Sequence, residues 1–110
     1  MAVITRYSAT QDSTNSYEIV DDFTIQTTFG RALSITIKNA GSGDVNWIVY
    51  GGNLSHLSDK TIVNPIATIF ADASDAYSIS LAPFEFYCVY IKSDGTDNPG
   101  TATLSAIVRD

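Results

Sequence analysis

The chain has 110 residues, 45% of them hydrophobic and 16% charged. This length fits one domain, and the composition excludes a disordered chain because enough apolar surface is present to form a core. Twelve acidic and six basic residues give a net charge of −6, which disfavours nucleic acid and anionic membrane surfaces as partners because it repels their phosphates.

The N-terminal stretch MAVITRYSATQDSTNS has no basic leader followed by an apolar core. We therefore expect no signal peptide and synthesis in the cytoplasm. No apolar run approaches the ~18 residues that a membrane-spanning helix requires. The single Cys88 excludes an internal disulfide, and its place in an apolar strand pattern predicts a buried thiol.

Alternation of polar and apolar residues recurs along the chain, and no segment carries the i, i+3, i+4, i+7 stripe of a helix. The pattern predicts about eight strands separated by polar or glycine-containing turns. Pro65 is expected to interrupt one of them because proline donates no hydrogen bond to a ladder. The predicted strands are Ala2–Tyr7, Tyr17–Thr27 (bent or broken at Asp21-Asp22), Arg31–Asn39, Val45–Tyr50, the short strands Thr61–Asn64 and 66–70 on either side of Pro65, 77–81, Phe84–Lys92 and Thr101–Arg109.

Two of the connections predict hairpins. The glycines of NAGSGD are typical of a tight turn between Arg31–Asn39 and Val45–Tyr50. A second turn, built by Asp94, Gly95, Asn98, Pro99 and Gly100, is expected to join the last two strands.

Short strands without intervening helices predict one all-β domain over residues 1–110, an antiparallel two-sheet β-sandwich. Periodicity leaves its topology open between a jelly roll and an immunoglobulin-like arrangement. Residues 1–16 are interpreted as an N-terminal strand or arm.

The strand at Val45–Tyr50 is apolar on both faces, because Val45, Trp47 and Val49 share one face while Ile48 and Tyr50 take the other. Such a strand is expected to be central or covered on both sides. Trp47 is expected to be buried together with the two valines.

The segment FEFYCVYI also presents two apolar rows, since alternate residues of a strand point to opposite faces. We expect the first row to fill the core and the second to face a loop, another subunit or a partner. The first row is Phe84, Phe86, Cys88 and Tyr90, and the second is Tyr87, Val89 and Ile91. The residues predicted to form an interface are Tyr7, Tyr50, Glu85, Tyr87 and Val89.

No set of residues predicts catalysis, and we expect no enzyme activity and no cofactor. His56 is the only histidine and lies in a predicted polar loop, and two Cys or His residues are too few for zinc. Asp94, Asp97 and Asn98 could offer oxygen ligands to calcium, but they lack the spacing of a helix–loop–helix site, so an ordinary loop is the interpretation.

A carbohydrate-binding module is the alternative, with Trp47, Tyr50 and Tyr87 stacked on sugar rings. This function requires exposed, coplanar rings. A buried Trp47 would argue against it.

A family resemblance covers residues 31–110. Its elements are a strand ending in Asn, a Gly/Ser turn, the strand VNWIVYGG, the corner LAP, and the closing segments YCVYIKS and GTATLSAIVRD. This order resembles the small β-sandwich proteins of tailed bacteriophage virions.

The resemblance implies a decoration (cement) protein on the capsid exterior, or a small tail- or fibre-associated protein. The implied partners are the major capsid protein and further copies of the chain, as a dimer or trimer, with no nucleic acid and no membrane. Residues 1–16 lie outside the resemblance and are expected to form an arm or an edge strand added to a neighbour.

Overall fold

Eight β-strands are present in the computed structural model, which describes residues 4–27, 31–54, 57–80, 82–95 and 99–109, without the side chains of 21–23 and 65–66. They are β1 (Ile4–Asp12), β2 (Glu18–Gln26), β3 (Ala32–Asn39), β4 (Val45–Gly52), β5 (Thr61–Ile69), β6 (Ser74–Ile79), β7 (Phe86–Ser93) and β8 (Thr101–Arg109). In these ranges no helix is long and apolar enough to cross a membrane.

The strands form two four-stranded antiparallel sheets. The first sheet has the order β1-β8-β3-β6 and the second has the order β2-β7-β4-β5. First and last strands therefore pair, as do second and seventh, third and sixth, and fourth and fifth, which is a jelly roll. The predicted all-β, two-sheet sandwich is confirmed, and the immunoglobulin-like alternative is excluded.

The core lies between the sheets and is filled by alternate residues of each strand. In β3, the side chains of Leu33, Ile35 and Ile37 are at most 1% exposed, while Thr36 and Lys38 face solvent. Each buried aliphatic side chain of this kind contributes about 1.5–3 kcal/mol relative to an exposed one. β4 is central, as its two apolar faces predict, and Trp47 is fully buried as expected.

Neither predicted hairpin forms. β3 and β7 each lie in a different sheet from the strand that follows them, so both connections cross from one sheet to the other. Glycine-rich segments satisfy a tight hairpin and a sheet-to-sheet crossover equally well, because both need sharp changes of backbone direction. The turn signal was therefore real, but the inferred pairing was wrong.

Asn39 holds the first of these crossovers in place. Its fully buried side chain donates hydrogen bonds to the carbonyl oxygens of Gly43 (2.7 Å) and Ile69 (3.1 Å). Its Oδ1 accepts from the backbone N–H groups of Gly41 (3.1 Å) and Thr101 (3.2 Å). One side chain thus joins β3, its following loop, β5 and β8.

Two edge strands differ from their predictions. β1 is longer than expected and pairs with β8 of its own chain along all nine residues. β5 runs through Pro65 without a break, because it lies at a sheet edge, where proline is tolerated, and its pairing with β4 shifts register. The predicted irregularity of β2 is confirmed as a register shift between Ile19 and Thr24.

Candidate interaction surface

The apolar row of β7 that faces outward is the opposite of the expected one. Tyr87, Val89 and Ile91 are at most 1% exposed and belong to the core. The prediction that Tyr87 and Val89 face a partner is therefore wrong. Each is paired with a fully buried residue, Tyr87 with Ile25 and Val89 with Val49, and paired residues share a face.

The remaining residues of β7 belong to an apolar surface on the side of the second sheet away from the core. The register places Ile48 beside Tyr90, and places Tyr50 between Cys88 and Ile62. Cys88 and Ile48 are covered by their neighbours, whereas the side chain of Ile62 is 52% exposed. We call this surface the aromatic face, defined by Ile48, Tyr50, Ile62, Phe86, Cys88 and Tyr90.

Two tyrosines form the centre of the aromatic face, and a lysine lies beside them. The rings of Tyr50 and Tyr90 lie edge to face, with centroids 5.2 Å apart and planes at 78°. Lys60 Nζ lies 5.5 Å from the Tyr50 centroid and 5.8 Å from the Tyr90 centroid. This arrangement combines a favourable aromatic pair with cation–π attraction.

The Cys88 thiol and the Tyr90 phenol of this surface are neutral near pH 7. Burial raises the pKa of Cys88 to about 11, and nearby Lys60 acts in the opposite direction. Burial also raises the pKa of Tyr90. Cys88 is therefore a packed thiol and no nucleophile, since the reactive form is the thiolate.

A third tyrosine lies at the margin of the same side. Lys92 Nζ lies 5.7 Å from the centroid of the Tyr17 ring. Burial, followed by the proximity of Tyr50 and Asp94, raises the pKa of Tyr17. The aromatic face is thus bordered by two lysines and a neutral phenol.

The five predicted interface residues do not come together. Tyr50 is half-buried on the aromatic face, and Glu85 is exposed just before β7. Tyr7 packs against the core from β1, and its hydroxyl accepts a hydrogen bond from Gln26 N–H at 3.3 Å. An interface role for these three stays a prediction, and Tyr87 and Val89 are inaccessible.

Sequence reasoning placed Ile48 with Tyr50 on the face of β4 opposite Trp47, but it missed Phe86 and Tyr90 as members of an outward surface. The two-faced pattern of VNWIVYGG was a signal for it, because it predicted a second apolar layer over β4. Which residues of β7 join that layer depends on β2 and β4, which are distant in sequence.

The described residues contain no group of three or more His, Cys, Asp or Glu side chains that could hold a metal ion. In the candidate calcium loop, Asp94 accepts a hydrogen bond from the Asn46 side chain at 3.2 Å. Asp97, Asn98 and His56 lie outside the described residues.

The rings proposed to stack on a sugar do not form one platform. Trp47 is fully buried and donates its indole N–H to Asp75 Oδ2 at 3.0 Å. Tyr87 is also buried, and its hydroxyl accepts from the Phe84 backbone N–H at 3.3 Å. Of the three, only Tyr50 reaches the outer surface.

The chain matches no protein-family model and no curated protein sequence. It shares its fold with a subunit of the disulfide-linked pili that form Bacillus endospore appendages, with a TM-score of 0.68, 17% identity, and 98% and 86% coverage of this chain and that one. YomS, a protein derived from the SPBc2 prophage, gives a TM-score of 0.64 and 10% identity, with 100% and 96% coverage. The coat protein of Tobacco streak virus gives a TM-score of 0.50 and 10% identity, with 99% and 86% coverage. At these identities the likeness shows a common jelly-roll sandwich.

Proposed function

We propose that the protein is a non-enzymatic structural subunit that decorates the exterior of a tailed-bacteriophage capsid. It binds the major capsid protein and further copies of itself. The observation that carries this proposal is the aromatic face, an apolar surface on the side of the second sheet that the core does not use. The resemblance over residues 31–110 and the fold shared with a prophage-derived protein and a virus coat protein support it.

The aromatic face has the composition of a protein-binding surface. Interface cores are enriched in aromatic residues and surrounded by a polar rim. Here Tyr50 is paired with the buried Cys88, and Tyr90 lies two residues further along β7. Polar side chains lie around them on the same side, namely Lys60, Lys92, Asn46 and Thr68. Tyrosine contributes strongly to such contacts because its ring buries a large area while its hydroxyl keeps a hydrogen-bond partner.

Purified particles test this function. Phage particles from a lysate of the cells that encode the chain are banded by density and probed with an antibody against it. We expect the protein in the particle band, and we expect a Tyr50→Ser/Tyr90→Ser variant to remain in the soluble fraction. A wild-type protein absent from the band would contradict the proposal.

A filament subunit is the second candidate, favoured by the likeness to the endospore appendage pili over 98% of the chain. Those pili are disulfide-linked, whereas Cys88 here is fully buried within β7. A filament of this chain would therefore be non-covalent. Long assemblies that persist unchanged in a reducing agent would favour this candidate.

The carbohydrate-binding alternative retains only Tyr50 of its three rings. Incubation with insoluble cellulose, chitin and peptidoglycan tests it directly. We expect the protein to stay in the supernatant, and retention that depends on Tyr50 would support sugar binding.

A further inference from the structure

Charged residues are segregated between the two ends of the sandwich. Backbone hydrogen bonds gather the loops that follow β1, β3, β5 and β7 at one end, including Ser93 N–H to Thr14 O (2.7 Å), Asp94 N–H to Asp44 O (2.9 Å) and Asp72 N–H to Asn39 O (2.8 Å). The start of β1 and the end of β8 lie at the other end.

Among the described side chains, the first end has six carboxylates against two lysines, and the second has four cations against two carboxylates. We call them the acidic end and the basic end. The carboxylates of the acidic end are Asp12, Glu18, Asp44, Asp72, Asp75 and Asp94. The cations of the basic end are Arg6, Arg31, Lys60 and Arg109.

The basic end carries an open groove of about 500 Å³ where β3 begins and where β6 and β8 end. Three serines (34, 78 and 80) and Arg109 line it, together with the apolar Ala32 and Ile79. We call it the Arg109 groove. A guanidinium beside hydroxyl donors favours a carboxylate, and the apolar lining favours an adjoining hydrophobic group.

The acidic end presents a turn with the complementary chemistry. Phe70 is 64% exposed, the most exposed of the large hydrophobic side chains in the described ranges, and Asp72 beside it is exposed too. The turn is fixed by hydrogen bonds from Ala73 N–H to Phe70 O (2.9 Å) and from Asp72 N–H to Asn39 O. Asp72 adopts a φ of 62°, which Asp tolerates better than most residues. The result is a firm projection bearing an aromatic ring and a carboxylate, called here the Phe70–Asp72 turn.

The Phe70–Asp72 turn and the Arg109 groove lie at opposite ends of β6. The Phe70–Asp72 turn precedes the first residue of β6, and the groove lies at its last residues. A second copy displaced along the direction of β6 would therefore bring its turn to the groove of the first. Because turn and groove lie at opposite ends, each copy keeps one of them available, and such contacts propagate into chains or rings.

We infer that copies of this protein bind end to end, with the Phe70–Asp72 turn of one copy seated in the Arg109 groove of the next. Asp72 accepts hydrogen bonds from the Arg109 guanidinium, and the Phe70 ring covers Ala32 and Ile79. The inference rests on the self-association included in the proposed function and names its contact. This end-to-end contact is separate from the proposed capsid binding through the aromatic face.

Charge-reversal variants of the turn and of the groove test this contact. Self-association of the full chain is measured by sedimentation velocity at rising protein concentration. We expect the wild type to self-associate, and Asp72→Arg and Arg109→Asp each to weaken association by about tenfold or more, because like charges then meet. An equimolar mixture of the two variants is expected to associate like the wild type, since each turn then finds a groove of opposite sign.

Matched controls make the same changes in net charge elsewhere. Glu18→Arg lies at the acidic end on the other sheet, and Arg6→Asp lies at the basic end on β1, which does not line the groove. Both are expected to associate like the wild type. Circular dichroism checks folding, and Asp72→Asn, which tolerates the positive φ, replaces Asp72→Arg if that variant unfolds. Asp72→Asn by itself is then expected to weaken association, without the mixing experiment.

The outcomes separate the contact from the proposed function. If the wild type associates and the variants match it, or if the mixture stays dissociated, the end-to-end contact is overturned and self-association stands. A wild type that is monomeric at every concentration overturns both the end-to-end contact and self-association. Capsid binding is then tested separately, with the variants of the aromatic face.

Discussion

The indole N–H of Trp47 donates a hydrogen bond of 3.0 Å to the carboxylate of Asp75, and so connects a central strand of one sheet to an edge strand of the other. The second carboxylate oxygen accepts from the backbone N–H of Ala76 at 2.8 Å. Asp75 is thereby fixed in position. It also gives the indole N–H of Trp47, the largest fully buried side chain in the described ranges, a hydrogen-bond acceptor.

Replacing Trp47 by Phe removes this link and part of the ring volume. We expect the free energy of unfolding to fall by about 2–4 kcal/mol, from the lost bond to a charged acceptor and the residual cavity. Urea denaturation measures this change. Asp75→Asn keeps an acceptor of the same shape and should lose less, and equal losses in the two variants would argue against the assignment.

Replacing Asn39 is expected to destabilise the fold about as much as replacing Trp47, although Asn39 is a polar residue at the end of a strand. Its Ala variant leaves two carbonyl oxygens and two N–H groups without their partner, and we expect a loss of about 2–4 kcal/mol in urea denaturation. Asn53, which is exposed and accepts one hydrogen bond from Glu85 N–H, is the control. Asn53→Ala should cost less than about 1.5 kcal/mol, and a similar loss at both positions would contradict the role given to Asn39.

The pKa of Cys88 predicts a loss of stability in alkali. Its value rises from 9.0 to about 11 on folding, so between these pH values the unfolded thiol loses its proton while the folded one keeps it. Stability contributed by this group is complete below pH 9 and is lost as pH rises toward 11, with a slope of at most about 1.4 kcal/mol per pH unit. Thermal unfolding followed between pH 8 and 11 measures it.

A Cys88→Ala variant serves as the control for this pH dependence. Its stability should fall less steeply over the same interval. Some decline in stability with pH should remain, because burial raises the pKa of Tyr77 and Tyr87 as it does that of Cys88. A variant with the wild-type slope would show that Cys88 does not contribute.

The aromatic face predicts variants that fold normally but lose binding. Tyr50→Ser and Tyr90→Ser lie outside the core between the sheets, so we expect thermal unfolding to shift little while retention on phage particles drops at least tenfold per residue. Thr103→Ala, on the outer face of the other sheet, should retain binding. Loss of binding in that control would indicate that both outer faces contact the particle.

Sequence alone was sufficient for the fold class and for the faces of β3, because Leu33, Ile35 and Ile37 alternate with polar residues and only one face can be buried. It was insufficient for β7. Both rows of that strand are apolar, and the pairing with Ile25 and Val49 decides which row enters the core. Strand pairing failed for a related reason, since periodicity reports which side of a strand is buried but carries no information about its neighbour.

The Arg109 groove was also beyond sequence reasoning. It combines Ser34, Ser78 and Arg109, which belong to three strands and come together through the order β8-β3-β6. The Phe70–Asp72 turn, by contrast, is local, and an exposed aromatic residue beside a turn Asp could have been noticed.

Pro65 has a consequence for how such a protein can assemble. A regular edge strand offers a row of backbone donors and acceptors to any extended chain that approaches it. At the β5 edge this row is interrupted by a residue without an N–H and by two shifts in register. Growth of the second sheet from molecule to molecule is obstructed there, which favours reversible contacts between side chains over a continuous intermolecular sheet. The proposed assembly through side chains would benefit from that bias, because free subunits at high concentration would then not join through their sheet edges at β5.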